Sequence, residues 1–173
     1  YPVQYLLGKT WFYGLELAVG PGTLIPRPET EELVHLILEE NPFRPLSVLD
    51  IGTGSGCIAL SLKKERPPWS LTGMDVSAQA LKWALRNSNT LNLDVAWKQG
   101  NVLKQDPDGA PFDLIVSNPP YITMDEKDKM SPSTLNYEPH LALFTEDPLL
   151  FYRHTLSNAK QWLKADGKFY FEI

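Results

Sequence analysis

Ser47-Val48-Leu49-Asp50-Ile51-Gly52-Thr53-Gly54-Ser55-Gly56 is the stretch on which the fold turns. Its first five residues have strand character, its last five form a glycine-rich turn, and a helical pattern runs on from about Cys57 to Glu65. Glycines between a strand and a helix let the backbone turn sharply and approach a ligand closely. The alternation repeats downstream. Residues 71–76 read as a second strand, Ser77 as the N-cap of a helix carrying Ala80, Leu81, Ala84 and Leu85, and residues 95–99 as a third strand. The apolar, β-branched run Phe112–Ser117 is a fourth, of the kind buried on both faces. A helix opening at Asp147-Pro148, with Leu149, Tyr152, Leu156, Ala159 and Leu163 on one side, is expected to end at Gly167. Lys168 then leads into a fifth strand over residues 169–173. Strand and helix in this order predict an α/β fold with a doubly wound, mostly parallel sheet.

Ahead of the first strand, residues 1–25 alternate short apolar runs with glycines. Residues 4–7 and 11–19, split at Gly8-Lys9, are expected to form a β-hairpin arm before a domain spanning residues 26–173. Pro26-Arg27-Pro28-Glu29-Thr30-Glu31 marks a helix start, with the acidic residues where the helix dipole favours them. Arg27 stands at that start, a position that often borders a site. Residues 122–146 carry charges but few periodic apolar residues and read as a long loop or lid.

The length of 173 residues suits one domain. The sequence has no apolar run of ~18 residues, as a membrane span requires, and no signal-peptide pattern. A start at Tyr1 without methionine suggests a piece of a longer protein. The single cysteine, Cys57, excludes an intrachain disulfide and fits the cytoplasm. A net charge of −5 argues against direct nucleic-acid binding, which needs clustered Lys and Arg. His35, His140 and His154 are scattered, so no metal site is expected.

Two constellations carry chemistry. Asp50, Gly52, Thr53, Gly54, Ser55 and Gly56 form a ligand-binding loop, but a dinucleotide fingerprint would need glycine at position 57, where this chain has cysteine. Asp75, about 20 residues on, stands near a strand end where an acidic side chain takes ribose hydroxyls. Adenosine without a pyrophosphate points to S-adenosylmethionine. The second constellation is Asn118-Pro119-Pro120-Tyr121, closing the fourth strand. Prolines stop that strand and stiffen its end. They leave a carboxamide, a backbone carbonyl and an aromatic ring at the sheet edge where ligands bind. Asn118 Oδ1 and the Pro119 carbonyl could hold both hydrogens of a substrate –NH2, with Tyr121 against its flat face. A nicotinamide-dependent oxidoreductase and a non-catalytic cofactor-binding module are the competing readings.

With these motifs in place the chain resembles the Rossmann-like class I methyltransferases. Within them it is most similar to the HemK/PrmC family, the glutamine N5-methyltransferases of peptide chain release factors. The resemblance rests on Ile25-Pro26-Arg27-Pro28-Glu29-Thr30-Glu31, on Asp50 through Gly56, on Asp75, on Asn118-Pro119-Pro120-Tyr121 and on Tyr137-Glu138-Pro139. It implies methyl transfer from S-adenosylmethionine, leaving S-adenosylhomocysteine, to a glutamine in the GGQ motif of class-1 release factors. It implies cofactor contacts from the glycine loop, Asp75, Asn101, Val102 and Asn118, and substrate contacts from Asn118 to Tyr121 and Arg27. Asn101 stands where the family usually carries an acidic residue. The family also has an N-terminal helical domain and a C-terminal β-hairpin, which this chain is expected to lack. Asn-Pro-Pro-Tyr alone is shared with methyltransferases acting on exocyclic amines of DNA or RNA, and a ribosomal-protein glutamine is a further alternative.

Overall fold

The computed structural model describes all of residues 1–173. The glycine stretch folds as expected: β3 (Ser47–Ile51) runs through the turn into α3 (Cys57–Glu65). It is followed by β4 (Ser70–Asp75), α4 (Ala78–Leu91), β5 (Ala96–Gln99) and β6 (Phe112–Ser117). With β7 (Leu163–Phe171) they form one five-stranded sheet, ordered β5-β4-β3-β6-β7, in which every pairing is parallel. The order reverses direction between β3 and β6, so the turn after β3 and the segment after β6 open the crevice where such sheets bind ligands.

Both faces of the central strands are covered, which a parallel sheet requires. Val48 on β3 and Leu114 and Val116 on β6 pack into a large core cluster with Leu33, Val34 and Ile37 of α2 (Glu29–Glu40) and with Ile58 and Leu62 of α3. Leu49 and Ile51, with Ile115, face the other way, onto Trp162. The period-two alternation of the strands thus feeds two separate cores. Ser77 caps α4 as predicted, its Oγ accepting from Ala80 N at 3.2 Å.

The arm differs from expectation at its start. Residues 4–7 are not a strand but most of a short helix, α1 (Val3–Leu7), ended by Gly8 at φ 69°. The hairpin is β1 (Lys9–Phe12) with β2 (Leu15–Ala18), joined by Tyr13 and Gly14 at φ 48° and 72°. That two-residue, positive-φ turn matches the twist of a hairpin. A run of five apolar-rich residues has no period to separate helix from strand, and the left-handed glycine cap decides for helix.

The arm is tied to α4 by Asn87, which is buried. Its Oδ1 accepts from Ala18 N (2.7 Å), and its Nδ2 donates to Ala18 O and to Ser55 O (3.0 Å each). Trp83 Nε1 donates to Pro21 O at 3.3 Å, and the Trp83 ring lies so close to Gly20 that a Cβ there would stand 2.4 Å away.

Beyond β6, the lid contains a 3-10 turn (Met124–Lys129), α5 (Pro132–Tyr137) and α6 (His140–Leu143). Two sequence signals mark them: the Thr123…Glu126 capping box, and Ser131 as N-cap before Pro132. The following helix also differs from the reading above. It divides into α7 (Leu150–Ser157) and α8 (Ala159–Trp162), and the strand begins at Leu163 rather than after Gly167. Trp162 is fully buried and donates to Asp106 Oδ1 at 2.9 Å, which fixes where the helix stops. Leu163 pairs with Phe112, the intervening residues leave the ladder, and pairing resumes at Lys168 with Leu114. No helix is long and apolar enough to cross a membrane.

Candidate active site

The glycine loop is anchored before any ligand arrives. Gly52 N and Thr53 N both donate to Met74 O at the end of β4 (2.8 and 3.1 Å). Gly52, Gly54 and Gly56 all have positive φ (71°, 58° and 84°), a conformation that side-chain-bearing residues rarely adopt. They differ in their surroundings. A Cβ on Gly52 or Gly54 would meet nothing within 4 Å, whereas one on Gly56 would stand 2.8 Å from the Trp97 ring. The first two therefore present bare backbone to open space, and the third is packed.

That space is a cavity of about 320 Å³, whose walls include Leu24, Gly52, Gly54, Asp75, Asn118 and Phe151. Asn101 and Val102 also line it, as expected from the sequence. The other loop residues stand outside its wall. Asp50, Thr53 and Ser55 are buried beneath the loop, where Asp50 Oδ2 accepts from Thr53 Oγ1 (2.6 Å) and Ala59 N (3.3 Å). Asp50 Oδ1 has no partner, and burial pushes the carboxyl up to about 7. Asp50 is thus a support for the loop rather than a surface of the cavity.

Asp75 is on the wall but already engaged. Its Oδ2 accepts from Gly54 N (2.9 Å) and its Oδ1 from Ser77 N (2.8 Å). Burial raises its pKa, and these backbone donors pull the other way. A carboxylate oxygen has a second lone pair, so Asp75 can hold the loop and still accept from a ligand hydroxyl. Asn101 Oδ1 similarly accepts from Leu103 N (3.0 Å), which leaves its amide nitrogen as the uncommitted end.

The end of β6 is fixed by Ser117, whose Oγ donates to Ile51 O at 2.7 Å. Asn118, Pro119 and Pro120 follow, and all three line the first cavity and a second, of about 260 Å³. Tyr121, Arg27 and Glu172 belong to the second alone. Asn118 Nδ2 points to Thr30 Oγ1 at 3.4 Å, so the carboxamide oxygen is left for the cavities. Proline has no backbone N–H, so the Pro119 and Pro120 backbone offers carbonyl acceptors and no donors.

Arg27 borders the second cavity, as its place in the sequence suggested, but its charge is committed. Its Nη2 meets Glu138 Oε1 at 2.7 Å, and Glu138 Oε2 accepts from Ile25 N at 3.0 Å. The Glu138 side chain is 2% exposed, so this pair clamps the lid onto the start of α2. Sequence reasoning did not reach Leu24, Ala142, Phe151 or Glu172. They come from distant segments, and nothing local marks an alanine or a phenylalanine as cavity wall.

Known proteins resemble this chain in sequence and in fold. The methyltransferase small domain matches residues 30–137. The chain is 49% identical to the release factor glutamine methyltransferase of Streptococcus pneumoniae over 99% of its own length and 61% of the relative's. It is 48% identical to that of Flavobacterium psychrophilum, covering 99% of this chain and 62% of the relative. The chain therefore spans about three fifths of the length of these curated relatives. A solved putative S-adenosyl-L-methionine-dependent methyltransferase from Methanococcus maripaludis superposes on 80% of this chain and 52% of its own, with a TM-score of 0.55 at 23% identity. That likeness bears on the fold alone. Strand order, glycine loop and profile agree, and the chain belongs to the methyltransferase small domain family.

Proposed function

We propose that this chain is the catalytic part of a cytoplasmic, S-adenosylmethionine-dependent enzyme. In this reading it methylates the side-chain amide nitrogen (N5) of the glutamine in the GGQ motif of class-1 release factors. The observation that carries this reading is the pair of cavities meeting at Asn118, Pro119 and Pro120. One has the character of a nucleoside site and the other is faced by acceptors. The substrate class follows from the relatives, which are release factor glutamine methyltransferases.

The residues present fit the cofactor. The open backbone at Gly52 and Gly54 leaves room that a side chain would fill, and the Asp75 carboxylate stands on the same wall. Gly52, Gly54, Asp75, Asn101 and Val102 would hold it. When bound, S-adenosylmethionine supplies a methyl group on a sulfonium, an electrophile that needs no further activation.

The chain's own task is orientation. Asn118 Oδ1 and the Pro119 carbonyl accept the two N–H groups of the substrate carboxamide and turn its nitrogen toward the first cavity. Fixing a reactant in this way supplies up to ~7–11 kcal/mol of the barrier in favourable cases. A substrate carboxylate brings no N–H and would face acceptor oxygens without a donor, so glutamate is rejected. The Arg27–Glu138 clamp holds the segment of Pro139 and Ala142 against the cavities.

The test uses the full-length enzyme with labelled cofactor and three acceptors: a release factor, ribosomal proteins and DNA. The expected result is one methyl group on a release-factor glutamine. Transfer to a ribosomal protein or to a base would replace this reading.

A further inference from the structure

Methylating a neutral carboxamide releases a proton, and neither Asn118 nor a proline carbonyl can keep it. The acceptor cavity contains one acidic side chain, Glu172, directly after β7. Its one basic neighbour in that wall, Arg27, is occupied by Glu138. Glu172 takes part in none of the ion pairs of the molecule, and its Oε2 is buried without a hydrogen-bond partner. An enclosed carboxylate oxygen left unsatisfied is costly, and native proteins keep few of them. Its backbone is held on both sides. Glu172 N donates to Ser117 O (3.1 Å), the residue before Asn118, and Tyr152 Oη donates to Glu172 O (3.1 Å).

From these observations we infer that Glu172 is a further catalytic residue, the proton acceptor of the methyl transfer. The inference rests on the amide-methylating function proposed above. As the nitrogen of the substrate carboxamide forms its bond to the methyl carbon, the carbon–sulfur bond of the sulfonium breaks and sulfur keeps the bonding pair. As the nitrogen becomes tetrahedral its N–H bonds swing out of the amide plane, and one proton is released from its Asn118 or Pro119 acceptor to the Glu172 carboxylate, leaving to solvent when product departs. Charge and atoms balance: a cationic sulfonium, a neutral amide and a carboxylate become a thioether, an N-methylamide and a carboxylic acid. The titratable groups around Glu172 are Tyr121 after β6, Tyr152 on α7, Cys57 at the start of α3 and Arg27 just before α2. The Tyr152 phenol, its pKa raised by burial, supplies no competing base at neutral pH. The same negative charge repels a glutamate side chain and so adds to the choice of amide over acid.

The deciding experiment compares full-length parent, Glu172→Gln and Glu172→Asp on an intact release factor, with turnover measured across pH. Calorimetry with S-adenosylhomocysteine and thermal melting accompany it. General-base catalysis is typically worth ~10²–10⁴-fold, so the glutamine variant should lose turnover in that range. Its KM and its affinity for S-adenosylhomocysteine should stay close to the parent's. The aspartate variant should recover part of the rate, and the acidic limb of the parent's pH profile should vanish with glutamine. Binding of a glutamate-bearing peptide should tighten in the glutamine variant, a readout that needs no turnover. Parent-like turnover and pH profile in Glu172→Gln would overturn the assignment. So would a loss shared equally by cofactor affinity and melting temperature in both variants. A parent enzyme that methylates no glutamine fails one step earlier and removes the functional reading itself.

Discussion

The glycine loop after β3 and the Asn118–Tyr121 segment after β6 end neighbouring strands, but they are held by different means. The loop is fixed by short-range backbone bonds: to Met74 O, to Asp75, and over the buried Asp50. Most of these supports lie within one βαβ unit, and Asn87 and Trp97 from the next helix and strand add to them. The acceptor segment depends on pieces far apart in the chain. Thr30 reaches Asn118, Arg27 reaches Glu138, and Glu172 closes the wall. The donor side is thus a preformed mould, and the acceptor side is an assembly whose shape exists only when the whole chain is in place. A cofactor shared by many enzymes suits the first, and a particular macromolecular substrate suits the second.

Substitutions on each side should separate along that line. Glu172 apart, the largest effect is expected at Asn118→Ala. Losing one positioned polar group should lower single-turnover rates by ~10²–10³. Asn118→Asp should retain more activity than alanine, because it keeps an acceptor oxygen. S-Adenosylhomocysteine affinity measured alongside should change little, and an equal loss of binding would merge the two sides into one.

Gly73→Ala probes the mould. A Cβ there would stand 2.3 Å from the Trp97 ring and 2.9 Å from Thr53 Oγ1, with no room on the sheet. Overpacking of this kind costs ~1–3 kcal/mol, and denaturant unfolding should show it. Melting unchanged from the parent would mean that the loop is not braced by Trp97. Asp75→Ala comes next, with an expected loss of about tenfold in S-adenosylhomocysteine affinity, since a charge-assisted bond is worth ~1.5–3 kcal/mol and Asp75 also anchors Gly54. An unchanged dissociation constant would take Asp75 out of the ligand's environment.

A separate effect is a dependence on pH. Asp50 releases its proton near 3.8 when unfolded and near about 7 when folded, because burial disfavours the charge. Between those values the folded state holds the extra proton, so this contribution to stability is complete at low pH and is lost as pH climbs through about 7. Melting temperatures at pH 5 and pH 8 should therefore fall further in the parent than in Asp50→Asn. Parallel slopes would show that Asp50 titrates elsewhere.

The same division explains what could be read from sequence. The sheet, the loop and the cap at Ser77 are written in contiguous residues: an apolar run, a glycine cluster, a serine three positions ahead of its partner. Asn118 and its prolines are also local. The roles of Thr30, Glu138 and Glu172 are not, because each depends on a partner 85 or more positions away or on a cavity that the fold alone creates. The short helix at Val3–Leu7 was missed for the opposite reason: too few residues to show a period. Asp50, Thr53 and Ser55 sit in the right motif but on its inner side, a distinction that spacing does not contain.

One buried carboxamide sets a limit on how this sequence can drift. Asn87 spends its acceptor and both donors on two segments, Ala18 and Ser55. Aspartate at that position would lose the donors, leucine would lose all three bonds, and glutamine would place its head group one methylene too far out. A saturation library at position 87 should therefore leave almost a single survivor. Its neighbour Arg86, stacked over the Trp83 ring, should accept many replacements. Because Asn87 grips backbone atoms alone, arm and glycine loop stay tied whatever side chains they carry, although dozens of residues separate them along the chain.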